Sequence, residues 1–137
     1  MNKTQPPRRI LVVDDEPDLI ELLSFNLAGH GYEVIAATTG LQALHLARRQ
    51  LPDLILLDVM LEGIDGFAVC EILRSQPSTA KIPVIFVSAI GGEMAKLNGV
   101  ESGGNDYIRK PFEPRELIRR VQRHLEQDKP EPLPDAC

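Results

Sequence analysis

Two kinds of hydrophobic pattern alternate along the chain. Continuous apolar runs occupy Ile10 to Val13, Leu54 to Leu57 and Val84 to Val87, with weaker ones at Tyr32 to Ala36 and Asp106 to Arg109. A strand with one wet face alternates apolar and polar residues. An unbroken run is expected of a parallel strand whose two faces are both covered by helices. Between the runs the spacing becomes helical. Leu19, Leu23 and Leu27 stand at i, i+4 and i+8, Leu117, Ile118, Val121 and Leu125 form a similar stripe, and Leu41, Leu44 and Ala47 suggest another. Pro17 suits the first turn of a helix, where its missing N–H costs nothing. Gly91 to Gly104 is the poorest helical pattern, broken by five glycines, and a short, mobile helix is expected there. Five strands alternating with five helices predict an α/β domain built on a parallel sheet. Ligands of such sheets bind beyond the carboxyl ends of the strands.

The flanks differ from the middle. Residues 1–8 are polar and carry Pro6 and Pro7, while residues 127–137 carry Pro130, Pro132 and Pro134. A loose lead, an ordered domain over 9–126 and a proline-rich tail or linker are the expected organisation. A length of 137 residues suits one domain, and 43% hydrophobic with 26% charged residues suits a packed core. The net charge of −5 argues against nucleic-acid binding through a broad basic face. Cys70 and Cys137 are too few for a disulfide framework or a zinc site, and Cys70 reads as a small apolar residue on a helix. The N-terminus lacks the apolar core of a secretory signal, and no apolar run approaches the ~20 residues that cross a bilayer. A cytoplasmic protein without membrane partners is expected.

The chemistry lies where the apolar runs stop. ILVV ends at Asp14 and Asp15, LILL at Asp58, VIFV at Ser88, and the last run at Lys110, before Pro111. In a parallel sheet these ends share one edge, so three carboxylates, a hydroxyl and an ammonium converge. Crowded carboxylates repel each other unless a cation joins them. Mg2+ (or Mn2+) is a hard ion suited to an oxygen-only site, and a divalent ion with a lysine and a hydroxyl suits a phosphoryl group. Asp58, alone on its run, is the best candidate nucleophile, leaving Asp14 and Asp15 to share the metal. Each residue alone reads more readily as a turn, cap or surface residue; the joint pattern reverses that and favours a site.

The segments VVDDE, LLDVMLEGIDGF, VIFVSA and NDYIRKPFEPREL, in that order over about residues 9–126, resemble the receiver domain of two-component response regulators. The resemblance implies a three-layer (βα)5 flavodoxin-like fold with strand order 2-1-3-4-5. It implies that Asp58 is the phosphoacceptor for a histidine kinase or phosphotransfer protein. Asp15 and Asp58 would bind the metal through their side chains, Met60 through its backbone carbonyl and Asp14 through a water. Ser88 and Lys110 would contact the phosphoryl group, with a cis Lys110–Pro111 bond, and Tyr107 would be the switch aromatic that follows Ser88. The domain would then be a phosphoacceptor switch rather than an enzyme with turnover. One departure is Glu62, where many relatives have proline; Gly63 and Gly66 are expected to keep that turn flexible.

DNA-binding relatives dimerise through the face formed by the fourth helix, fifth strand and fifth helix. Lys96, Glu101, Asp106, Glu116 and Arg120 resemble part of that charge pattern. A phosphorylation-promoted homodimer, or a docked output domain or partner protein, is expected there; a solvated mixed-charge face is the plainer alternative. His30, His45 and His124 read as helix-surface or cap residues. Whether the chain is a stand-alone regulator or the receiver part of a longer protein is open. Two other functional classes are weighed. A haloacid-dehalogenase-type phosphatase needs a second acid two residues after its nucleophile, where this chain has Met60. A flavin module needs a phosphate-cradling loop after the first strand, where this chain has Asp14, Asp15 and Glu16.

Overall fold

The computed structural model describes residues 6–126. The chain alternates β1 (Arg9–Val13), α1 (Pro17–Ala28), β2 (Glu33–Ala37), α2 (Gly40–Gln50), β3 (Leu54–Leu57), α3 (Gly66–Ser75), β4 (Val84–Ser88), α4 (Glu93–Glu101), β5 (Asp106–Arg109) and α5 (Pro114–Glu126). All strands are parallel, in the order β2-β1-β3-β4-β5. The expected lead and tail lie largely outside the described residues. No helix among the described residues is long and apolar enough to cross a membrane.

The unbroken apolar runs are explained by two cores, one on each face of the sheet. Alternate strand residues Leu11, Val13, Ile55, Leu57 and Phe86 pack with Ala43, Leu44 and Ala47 of α2 and Val69, Cys70 and Leu73 of α3. Their neighbours Ile10, Val12, Leu54, Leu56 and Ile85 face the other way, onto Leu23 and Leu27 of α1 and Leu117, Val121 and Leu125 of α5. Burying each such side chain stabilises the fold by about 1.5–3 kcal/mol relative to exposure, so a one-residue slip of a central strand would exchange two complete sets of contacts.

Strand limits agree with the hydrophobic runs to within one residue, with small corrections. β2 begins at Glu33 rather than Tyr32, whose N–H turns back to the Leu27 carbonyl at 3.1 Å. β4 includes Ser88. Leu41 does not belong to the buried stripe of α2: it is 72% exposed, and Gly40, Ala43, Leu44 and Ala47 form that stripe instead. α4 is short, with nine residues. His30 and His45 are exposed, but His124 is buried on α5, its Nε2 3.0 Å from Asp106 Oδ2. Helical spacing puts it there, seven residues after Leu117 and three after Val121, and Asp106 supplies the partner that its buried ring needs.

Candidate functional site at the carboxyl edge of the sheet

The strand ladder continues one step past the strands and fixes the residues that follow them. Asp14 N–H donates to Ala37 O (3.1 Å), Asp58 N–H to Val13 O (3.0 Å) and Lys110 N–H to Ser88 O (2.8 Å). Each functional backbone is thereby tied to a neighbouring strand. The Lys110–Pro111 peptide bond is cis. Gly66 opens α3 behind Asp65, whose side chain caps the helix through the Ala68 N–H at 2.9 Å. A Cβ at Gly66 would run into the Asp58 carbonyl oxygen and lie 2.8 Å from Val59 Cα. The glycine serves close approach to the Asp58 backbone, rather than turn flexibility; in this loop only Gly63 has a positive φ, 85°.

Carboxylate oxygens of Asp14, Asp15 and Asp58 all lie within 4.8 Å of one another. Asp14 and Asp58 are buried and Asp15 is exposed. Lys110 Nζ reaches Asp14 Oδ2 at 2.8 Å, Asp58 Oδ2 at 3.1 Å and Glu16 Oε1 at 3.5 Å. Backbone donors complete the shell: Glu16 N–H to Asp14 Oδ1 at 2.9 Å, and Met60 N–H to Asp58 Oδ1 at 3.1 Å. The Met60 side chain points to solvent. Among the described residues no buried side-chain nitrogen or oxygen lacks a partner.

Charge in this cluster is unbalanced, because three acids share one ammonium and a fourth, Asp15, lies beside them. Burial pushes the Asp14 carboxyl up from its ordinary value and the Asp58 charge adds to that; the hydrogen bonds from Lys110 and the Glu16 N–H only partly offset the rise. For Lys110, burial works against the charged form, but its bonds to Asp14 and Asp58 outweigh burial and hold the ammonium above its ordinary value. Surplus negative charge therefore secures the lysine and strains the acid. A hard divalent cation fits this oxygen-only, over-acidic donor set.

Ser88 is fully buried at the end of β4, and its Oγ accepts from Ile90 N–H at 3.2 Å. Tyr107 is half-buried: its ring lies 6.0 Å from that of Phe86, and its hydroxyl donates to the Ile90 carbonyl. Burial raises the phenol's pKa; a hydrogen bond with Ser88 opposes that rise and the Asp58 charge adds to it. Ser88 and Tyr107 thus meet over the same short loop.

The five residues of the expected partner face separate. Asp106, Glu116 and Arg120 meet within the chain: Arg120 Nη1 lies 2.9 Å from Asp106 Oδ1 and Arg120 Nε 3.0 Å from Glu116 Oε2. Lys96 is exposed on α4 and lines, with Arg120 and Tyr107, a surface cavity of about 290 Å³. Glu101 is exposed at the end of α4. Sequence reasoning missed two residues of this region. His124 joins the Asp106 cluster, and Arg74 of α3 bonds across to the loop before β5. Neither stands at the end of an apolar run; His124 does share the stripe of Leu117 and Val121, the one signal that could have placed it.

Comparison with known proteins identifies the family and the fold. A family model described as the response regulator receiver domain matches residues 10–122. The DNA-binding dual master transcriptional regulator RpaA of Synechocystis is 45% identical over 114 residues, covering 83% of this chain and 47% of RpaA. The chain thus spans about half the length of that relative. Among solved structures, a response regulator from Chloroflexus aurantiacus is 43% identical with a TM-score of 0.84, covering 88% of this chain and 98% of that one. The receiver domain of the sensor histidine kinase PA1611 from Pseudomonas aeruginosa, solved with magnesium coordinated in its active-site cleft, has a TM-score of 0.81 at 33% identity, covering 88% of this chain and 98% of that one.

Proposed function

The chain belongs to the response regulator receiver domain family, and we propose that its switch is thrown by transfer of a phosphoryl group to Asp58. Receiver domains are phosphorylation-dependent signalling switches of two-component systems, so the donor is a histidine kinase or phosphotransfer protein. The reading rests on one observation: three carboxylates within 4.8 Å, two of them bonded to a single lysine.

A carboxylate oxygen of Asp58 attacks phosphorus. The O–P bond forms as the bond from phosphorus to the donor imidazole nitrogen breaks, and that nitrogen keeps the electron pair and takes up a proton. Asp15 and Asp58, with the Met60 carbonyl, would hold Mg2+ or Mn2+, and Asp14 would act through a water. The bound ion supplies hard positive charge to the phosphoryl oxygens. Lys110 gives up its bond to Asp58 Oδ2 and turns to a phosphoryl oxygen, staying close because Asp14 still holds it. Ser88 donates to a second phosphoryl oxygen. Tyr107, packed on Phe86 and bonded to the Ile90 carbonyl, reports that movement to α4 and β5.

The boundaries 9–126 are the switch domain in this reading, acting in the cytoplasm. Its readout is the α4-β5-α5 face, where Met94, Leu97 and Val100 are exposed beside Lys96 and the Asp106 cluster. An output domain, a partner protein or a second copy would dock there. RpaA is named as DNA-binding; in this chain, control passes through protein contacts and nucleic acid is not bound directly. Exposed Met60 stands where a phosphatase of the haloacid dehalogenase type carries its proton-transfer acid, which disfavours sustained turnover.

The test is phosphate uptake from acetyl phosphate with Mg2+, read by intact mass. One phosphoryl group per chain is expected, and none for Asp58→Asn, whose amide is no nucleophile. Uptake retained by that variant would refute the assignment. Sedimentation with an acyl-phosphate mimic tests the face: a dimer is expected, and an unchanged monomer counts against it.

A further inference from the structure

Helix α4 is held unequally at its two ends. It starts after Gly91 and Gly92; Gly92 has a φ of 99°, and no side chain caps the first turn. Of its residues only Ala95 and Gly99 are buried. The far end is built differently. Gly104 N–H donates to Gly99 O at 2.8 Å, Gly103 N–H to Val100 O at 3.0 Å and Ser102 Oγ to Gly99 O at 2.9 Å. Gly99 lies against the rings of Phe86 and Tyr107, and a Cβ at Gly104 would collide with Phe86.

Arg74, in the last turn of α3, fastens that far end to the rest of the domain. Its Nε donates to Gly103 O at 2.9 Å and its Nη2 to Asn105 Oδ1 at 2.9 Å. Its Nη1 donates to Ile82 O at 2.8 Å and Ala80 O at 3.2 Å. Asn105 Oδ1 also takes the N–H of Val84, the first residue of β4, at 2.9 Å. The stem of Arg74 occupies the space a Cβ on Gly103 would need, 2.7 Å from the Arg74 Cγ. These acceptors are carbonyl and amide oxygens spread over two segments, residues 80–82 and 103–105. A planar fork with donors in fixed directions meets them all; the single nitrogen of a lysine does not.

We infer that Arg74 is a positioning residue for the switch: it fixes the C-terminal end of α4, so that a change at Ser88 and Tyr107 swings the uncapped N-terminal end about that point. The inference rests on the phosphorylation reading above. It explains why the exposed apolar residues Met94 and Leu97, nearer the free end, would be displaced more than Val100.

Hydrogen exchange on the full chain, with and without acetyl phosphate and Mg2+, tests it. In the wild-type protein phosphorylation should change exchange over residues 89–97 and leave 102–105 protected. Arg74→Met should take up phosphate at the wild-type rate. Its residues 102–105 should exchange roughly tenfold faster or more, as expected for loss of several charge-assisted hydrogen bonds, and the phosphorylation-linked change should spread along all of α4. Arg74→Lys, which keeps the charge and the stem, should behave like Arg74→Met. Equal phosphorylation-linked changes at both ends of wild-type α4 would overturn the inference, as would unaltered exchange at 102–105 in both variants, or acceleration uniform over the whole domain. Failure of the wild-type protein to take up phosphate would instead remove the site reading, and the swing with it.

Discussion

Two acid clusters flank β5, and they behave in opposite ways. At the carboxyl edge, Asp14, Asp58 and Glu16 share one ammonium, Lys110, with Asp15 alongside. At the start of β5, Asp106 receives Arg120 at 2.9 Å, which it shares with Glu116, together with Arg123 at 3.3 Å and His124 at 3.0 Å. Both central aspartates are desolvated. Yet Asp14 is pushed above its ordinary carboxylate value, while Asp106 is pulled below it, because for Asp106 the hydrogen bonds from His124 and the Tyr107 N–H and the charge of Arg120 overcome burial. Surplus acid marks a place prepared to receive a cation. Surplus base around an acid marks a self-satisfied joint. The balance of partners therefore distinguishes chemistry from architecture where residue type and burial do not.

Replacing the lysine tests the comparison most severely. Lys110→Met should slow phosphate uptake by about a hundredfold, the usual loss when one positioned charge donor is removed. The same variant should bind Mg2+ at least as tightly, because its acids no longer share an ammonium; isothermal titration of the ion would read that, and lost affinity would contradict the surplus-acid account.

Metal addition is the next largest effect. At Mg2+ one hundredfold above its Kd the wild-type protein should gain about 2.7 kcal/mol of unfolding free energy, reversed by chelator. Asp106→Asn should gain equally, and Asp15→Asn clearly less. Denaturant melts with and without the ion separate these outcomes, and equal gains in all three proteins would erase the distinction between the clusters.

Without metal, Asp106→Asn should cost about 1–3 kcal/mol through the unpaired guanidinium and imidazole groups it leaves, with phosphate uptake unaltered. The pH profile of stability should carry its signature. A carboxyl whose folded pKa is lowered contributes stability that is complete above the unfolded value near 3.8 and is lost as pH falls through the lower folded value. The wild-type protein should therefore lose stability more steeply than Asp106→Asn below about pH 4, as acid melts would report. Smallest of all, Arg119→Ala should leave the melting temperature unchanged within error, since its 2.7 Å pair with Glu116 has the Arg119 side chain 73% exposed.

The runs that end in Asp14, Asp58, Ser88 and Lys110 were legible because a parallel sheet makes strand ends neighbours, whatever their separation along the chain. The buried side of each helix was legible where large aliphatic residues recur, as at Leu23 and Leu27. It was misjudged at Leu41, because small residues (Gly40, Ala43 and Ala47) let α2 approach the sheet on a different face. Gly66 was noticed for the wrong reason, since a close contact with a distant backbone leaves no local mark.

What the amino-acid order determined on its own was the alternation of elements, the five parallel strands and the identity of the residues at the carboxyl edge. These follow from periodicity and from the fixed sense of the strands, both of which are local. Only the folded arrangement decided which of the adjacent acids Asp14 and Asp15 is buried, that His124 pairs with Asp106, and that one guanidinium on α3 grips the end of α4. Those outcomes depend on desolvation and on donors meeting acceptors from distant segments, and neither quantity exists until the chain has packed.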